Sequence, residues 1–357
     1  MVTEQQILDA LRPIEDPEVH KSIVELNMVR SVDIQGDHVK VEVALTISGC
    51  PLRTVIENDV KKALLNVPGI RSAEVVLGTM TDEERAKFTS TLRGDRPEHQ
   101  SPLLATDSKT EFIAVASGKG GVGKSTVTAN LAVALARKGL RVGVIDADIY
   151  GFSIPNIFGL GDRKPTVVDN VIIPVGKEGV KIVSMGFFVP ENSPVIWRGP
   201  MLGKMIRNFF NEVHWGDVDV MLLDLPPGTG DVALDIHQML PKSKELLVTT
   251  PQSNASEVAV RAGLMAKRTN HEILGVIENM SYLECGKCGD RTYVFGQGGG
   301  ARLAEALQVP LLQQIPLGVA ANEGTGIFAA ESSQGKAYAA LADDVAERLG
   351  QTAASRK

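Results

Sequence analysis

The segment from Gly118 to Thr126, GKGGVGKST, constrains this chain more than any other part of it. It follows the apolar run FIAVAS directly and opens a helical pattern that reaches Lys138 and is closed by Gly139. A strand, a glycine-rich turn and a helix in that order make a phosphate cradle. The glycines let successive backbone N–H groups curl round an anion at a helix N-terminus, and a lysine adds a mobile positive charge. Here Gly118, Gly120, Gly121, Val122, Gly123 and Thr126 belong to the cradle, and Lys124 is placed to meet β- and γ-phosphate oxygens. Ser125 offers its hydroxyl to Mg2+. The expected ligand is therefore ATP with Mg2+.

Beyond residue 110 the apolar runs RVGVID, VKIVSM, DVDVMLLDL, ELLVTT, EILGVIENM and PLLQQIP alternate with helical patterns. Near-continuous apolar strands between amphipathic helices predict an α/β fold with a mostly parallel sheet covered by helices on both faces. The first 80 residues read as a separate small α+β domain. Thr3 and Gln6 make a capping box ahead of Ile7, Leu8 and Leu11, and Val39, Val41, Val43, Leu45 and Ile47 alternate as a strand. A helix follows Pro51, and 70–77 reads as another strand. Between 81 and 110 the composition turns charged and polar around Pro97 and Pro102, which predicts a linker apart from a short helix capped by Thr81 and Glu84. The expected organisation is a domain over 1–80, a linker over 81–110, an ATPase domain over 111–350 and a tail over 351–357.

Charge and composition limit the partners. The 37 basic and 43 acidic side chains give a net charge of -6, which provides no global drive toward nucleic acid or anionic lipid. Aromatic residues, at 4 %, are too sparse for a base-stacking surface. No run approaches the ~20 apolar residues that cross a bilayer, and the start MVTEQQILDALRP is too polar for a secretory signal. The expectation is a cytoplasmic protein with neither a nucleic-acid nor a membrane partner.

Two acidic strand ends support the nucleotide reading. Asp146 and Asp148 close RVGVIDAD, and Asp224 closes VDVMLLD before PPGTGD. Carboxylates at the C-terminal edge of a parallel sheet hold Mg2+ through its waters and aim an attacking water. Asp224 is assigned with Asp146 to the Mg2+ site, Asp148 to the water, and the Gly228 amide to the γ-phosphate. Lys119 stands too early in the loop to share its own γ-phosphate with Lys124, so it is better placed to reach the nucleotide of a second subunit. In this the loop resembles the deviant Walker A ATPases, whose extra lysine acts across a homodimer. Asn279 lies where related NTPases place an asparagine against adenine; read alone, it is equally a turn residue.

Cys285-Gly-Lys-Cys288-Gly is a metal knuckle, since two intervening residues let both sulfurs face one ion. One such pair supplies two ligands, and no histidine or third cysteine stands nearby, so a symmetric dimer would supply four. The residues alone leave a [4Fe-4S] cluster, a zinc ion and a redox dithiol open. The six histidines show no paired metal spacing and read as structural or surface groups.

GKGGVGKST, DADIYGFSIP, WRGPM, LLDLPPGTGD and ENMSYLECGKCG run in order over about 250 residues. That set resembles the Mrp/NBP35 family, also called ApbC in bacteria, which are iron-sulfur cluster carrier ATPases. The resemblance implies a [4Fe-4S] cluster held labile between two subunits on the paired Cys285 and Cys288. It also implies ATP-coupled delivery to apo iron-sulfur proteins, with a cluster assembly scaffold as a further partner. The segment TISGCP around Cys50 resembles the MIP18-like (DUF59) domain that many bacterial members carry in front. Cys50 precedes a helix start that would lower its thiol pKa, which suits cluster handoff, while a small buried cysteine is the plainer reading. Phe152 departs from the family's usual proline in DADIYGPSIP, a change that touches loop rigidity and spares both aspartates. WRGPM reads as the entry to a core-facing helix with Ile206, Phe209 and Phe210.

Three other readings use the same fold. A ParA- or MinD-like positioning ATPase would need a basic patch or a membrane-binding helix, but the last helix carries Asp343, Asp344 and Glu347, and the cysteine pair has no role there. A nitrogenase reductase-like electron donor takes its ligands from two well-separated cysteines per chain. A zinc-bridged scaffold would use the nucleotide only as a switch.

Overall fold

The computed structural model describes residues 2–17, 19–46, 53–93, 101–148, 151–161, 163–188, 199–318 and 324–351. Ile47, Cys50 and Pro51, and Trp197 with Arg198, lie outside the described residues. The chain divides into two compact units.

In the first unit, α1 (Glu4–Leu11) starts at the Thr3–Gln6 capping box, whose two reciprocal bonds are both present. It is followed by β1 (Val29–Gln35), β2 (His38–Leu45), α2 (Arg53–Leu65), β3 (Ser72–Thr79) and α3 (Asp82–Arg93). The strands lie in the order β1-β2-β3, with β1 antiparallel and β3 parallel to β2. The alternation in β2 puts Val39, Val41, Val43 and Leu45 into the core, and α2 adds Ile56, Val60 and Leu64 at helical spacing. Helix α3 starts at the Thr81–Glu84 cap expected within the linker, with both reciprocal bonds present. It occupies the first half of 81–110 and buries Phe88 and Leu92, four residues apart, in the core of the first unit.

The second unit begins with β4 (Glu111–Ser117), α4 (Lys124–Arg137), β5 (Val142–Asp146) and α5 (Ile154–Ile157). After α5 come two short hairpins, β6 (Thr166–Val168) with β7 (Val171–Ile173) and β8 (Val175–Lys177) with β9 (Val180–Ser184). Then follow α6 (Gly199–Asn211), β10 (Val220–Asp224), α7 (Asp231–Met239), β11 (Lys244–Thr249), α8 (Ser253–Arg268) and β12 (Glu272–Glu278). The chain closes with the hairpin β13 (Leu283–Glu284) and β14 (Arg291–Thr292), then α9 (Gly299–Leu307), β15 (Leu311–Gln314) and α10 (Ser333–Arg348). The sheet order is β15-β12-β11-β4-β10-β5-β9-β8, parallel throughout except for the edge pair β8/β9. All seven strands expected from apolar runs are present.

The hairpin β6–β7 belongs to the first unit, together with 212–216, and contributes Val168, Val171 and Ile173 to its core. Within the second unit, α4 is buried from 127 to 135 because α10 and the sheet both pack on it. The residues 127–135 are apolar except for Thr128 and Asn130, both of which are hydrogen-bonded within the chain. Helix α6 turns Ile206, Phe209 and Phe210 inward, in line with the core-facing reading. No helix among the described residues is long and apolar enough to cross a membrane.

Candidate functional site

The cradle sits at the C-terminal edge of the central strand β4, between β10 and β11. Two glycines in it are obligatory for steric reasons. A Cβ on Gly118 would lie 2.3 Å from the Ala259 backbone nitrogen of α8, and Gly123, with φ +80, takes the left-handed conformation that starts α4 at Lys124.

Asp224 is fully buried and gathers the polar side chains of the first turns of α4. It receives Lys124 Nζ at 2.8 Å, Ser125 Oγ at 2.5 Å and Thr128 Oγ1 at 2.8 Å. Lys124 is itself 6 % exposed and lies 3.9 Å from Asp148. Asp146 stands beside Asp224 in strand register. Its Oδ2 accepts from Ser184 Oγ at 2.9 Å and from the Ser153 and Ile154 amides at 3.2 and 3.3 Å, so it also fixes the entry to α5. Burial, and secondly the charge of Asp224, push the Asp146 carboxyl up to about 7. Burial also raises Asp148, against the pull of Lys124. Three carboxyl groups thus surround one lysine, so the acidic groups outnumber the cation that faces them.

Three of the expected ligand groups are bonded within the chain. The Gly228 amide, at φ +87, donates to the Ser117 carbonyl at 2.8 Å. Asn279 Nδ2 donates to the Val122 carbonyl at 2.9 Å, so the asparagine braces the cradle. Lys119 Nζ rests on Asn254 Oδ1, in the first turn of α8, at 3.3 Å. The Thr126 carbonyl accepts from Asn130 Nδ2, which also reaches the Gly326 carbonyl.

Cys285 and Cys288 are exposed free thiols at the tip of the β13–β14 hairpin. The Cys285 amide donates to the Asp290 carbonyl, and Gly289, at φ +76, donates to the Cys285 carbonyl, which closes a tight knuckle. The Lys287 and Cys288 amides, and then the Cys288 thiol, favour the Cys285 thiolate and hold its pKa below the ordinary thiol value. Among the described residues no group of three or more His, Cys, Asp or Glu side chains forms a metal cage.

Comparison with known proteins decides the family. Residues 108–349 match the family described as NUBPL iron-transfer P-loop NTPase, and 4–77 match that described as iron-sulfur cluster assembly protein. The chain is a member of the NUBPL iron-transfer P-loop NTPase family. A relative from Bacillus subtilis, an iron-sulfur cluster carrier protein, is 50 % identical over 319 residues, covering 89 % of each chain. One of the same description from Synechocystis is 41 % identical and covers 99 % of both. A solved nucleotide-binding protein from Archaeoglobus fulgidus, in complex with ADP, is 37 % identical over 74 % of this chain and 93 % of its own, with a TM-score of 0.52. The family resemblance read from the motifs therefore holds, as does the P-loop NTPase fold with a small N-terminal domain.

For this NTPase the motifs named the cradle residues but missed their supports. Thr128 was findable, because it lies one helical turn beyond Lys124 and so on the same face. Asn254 and Ser184 come from distant segments and carry no local signal.

Proposed function

We propose that this chain is an ATP-dependent carrier of [4Fe-4S] clusters. Two copies bring their Cys285–Cys288 pairs together and hold one labile cluster between them. ATP binding and hydrolysis govern its receipt from an assembly scaffold and its delivery to apo-proteins. The observation that carries this reading is one unit bearing both a complete phosphate cradle and two exposed thiols without further ligands among the described residues. Two thiolates leave a cluster half-coordinated, and a second copy completes the set of four. The description of the relatives as iron-sulfur cluster carrier proteins supports the same cargo.

At the nucleotide, Lys124 would exchange Asp224 for β- and γ-phosphate oxygens. The Ser125 hydroxyl would hold Mg2+, with Asp224 and Asp146 acting on its waters, and the ion would neutralise the surplus carboxylate charge. Asp148 would orient the attacking water. Lys119 would leave Asn254 and reach the nucleotide of the second copy, where its charge opposes the charge that develops during transfer. The Gly228 amide and the Asn279 side chain would have to release Ser117 and Val122 before meeting phosphate and adenine.

The test is iron and acid-labile sulfide per dimer, with an absorption spectrum, after anaerobic reconstitution. About four of each per dimer are expected. Cys285→Ala or Cys288→Ala should lose the cluster while staying folded. A colourless chain, or a cluster retained by either variant, overturns the reading, and stoichiometric zinc supports the scaffold instead. Lys119→Ala should still bind ATP and lose turnover; unchanged turnover removes the lysine from the mechanism.

A further inference from the structure

Only the residues 280–284 separate Asn279, on the phosphate cradle, from Cys285. That stretch has little slack. Asn279 donates through Nδ2 to the Val122 carbonyl and through its backbone N–H to Thr249 at 2.8 Å. Glu278, beneath it, is 1 % exposed and accepts from Ser281 Oγ at 2.6 Å, Gln314 Nε2 at 2.8 Å and the Gly300 amide at 2.6 Å. Its carboxylate thereby ties the end of β12 to β15 and to α9. Ser281 donates from its backbone to Ile315, Leu317 donates to the Tyr282 carbonyl, and Leu283 bridges Leu317. Glu284 then pairs with Arg291, whose guanidinium lies over the Tyr282 ring at 4.2 Å. Ser281 and Tyr282 are buried.

The contact at the cradle end has a particular consequence. The Val122 carbonyl and the Gly123 N–H are opposite ends of one planar peptide unit, so neither can turn without the other. Gly123 N–H is one of the amides that a bound phosphate would recruit. Any turn of that N–H as phosphate binds would move the Val122 carbonyl that Asn279 already holds. The approach is close, since a Cβ on Gly123 would lie 2.3 Å from Asn279 Nδ2.

We propose that Asn279 and residues 280–284 form a strut that makes the reactivity of Cys285 depend on whether the cradle holds a nucleotide. Asn279 is the positioning residue at its cradle end, and the Ser281–Glu278 bond keeps its middle from yielding. The inference rests on the nucleotide site of the proposed function and is independent of the cargo. Because coupling between two sites is reciprocal, a change at the thiols also alters nucleotide affinity.

The experiment uses the full-length, metal-free chain. The alkylation rate of Cys285 by iodoacetamide, resolved by mass spectrometry of its peptide, is measured with and without a saturating non-hydrolysable ATP analogue and Mg2+. The native chain should change rate by about fivefold or more on binding the analogue. Ser281→Ala, which touches neither nucleotide nor thiols, and Asn279→Ala each break the strut at a different place. Loss of the response in either, with analogue binding confirmed separately, supports the strut. It is overturned if the native chain does not respond, or if both variants respond as fully as it does. Protection of the thiol by simple dimerisation would survive in both variants and so counts against it. A chain that takes up no iron yet shows the response would refute the proposed cargo and leave the strut standing.

Discussion

The second unit buries two ionic clusters at opposite edges of one parallel sheet, and they are built on opposite principles. At the C-terminal edge Asp146, Asp148 and Asp224 face the single cation of Lys124. At the N-terminal edge Glu245 meets His237 Nε2 at 3.1 Å, and Thr269 Oγ1 lies 3.1 Å from His237 Nδ1 and 2.9 Å from His271 Nδ1. The rings of His237 and His271 stack at 4.2 Å, and His271 Nε2 donates to the Leu240 carbonyl at 3.1 Å. Burial lowers the His271 pKa. Burial raises the Glu245 pKa, and its hydrogen bond to His237 pulls the other way. Each ring nitrogen in this second cluster has a partner, and it is sealed. The first carries uncompensated charge and lines a cradle. Burial alone does not mark a functional site; an unbalanced charge inventory does.

The comparison can be broken at several points. Lys124→Ala should lower ATP turnover by at least about a thousandfold, read as phosphate release, with the circular dichroism spectrum intact. A loss within tenfold would mean that the cluster around Asp224 is structural after all. Glu245→Ala should cost about 3 kcal/mol of stability in denaturant titration and leave nucleotide affinity unchanged, because it strands a buried partner far from the cradle. A matching loss of nucleotide affinity would join the two clusters into one system.

The smallest effect concerns Asp146. Its folded pKa, about 7, lies above the ordinary carboxylate value of 3.8. The fold therefore retains the proton more tightly than the unfolded chain. That contribution is complete below the ordinary value and is lost as pH rises through about 7. In the Mg2+-free chain stability should fall between about pH 4 and pH 7 and level off above that, and Asp146→Asn should flatten the slope and gain about 1–2 kcal/mol at pH 8. A flat profile in the native chain would show that Asp146 is already charge-compensated.

What the sequence disclosed follows a physical divide. Strands buried on both faces read as apolar runs, so β4, β5, β9, β10, β11 and β12 were legible, and the half-buried edge strand β15 was legible from its flanking apolar residues. The pairs β6–β7 and β13–β14 have two or three residues per strand, too few for any period to register. The start of helix α3 was legible in Thr81 and Glu84, but its burial was not, because DEERAKFTSTLR needs only Phe88 and Leu92 to anchor it. The cradle and the thiol knuckle were legible because their chemistry depends on neighbours in sequence. The partners of Gly228, Asn279 and Lys119 were not, since Ser117, Val122 and Asn254 reach them only through the tertiary fold.

The first unit is assembled from three separate lengths of chain, 1–100, 165–174 and 212–216. Severing the polypeptide near residue 100 would not release it whole. The shorter fragment would lack Val168, Val171 and Ile173 from its interior, and the longer one would carry those side chains away with their greasy faces bare to water. Anyone wishing to study either half by itself must excise or redesign that borrowed ribbon first.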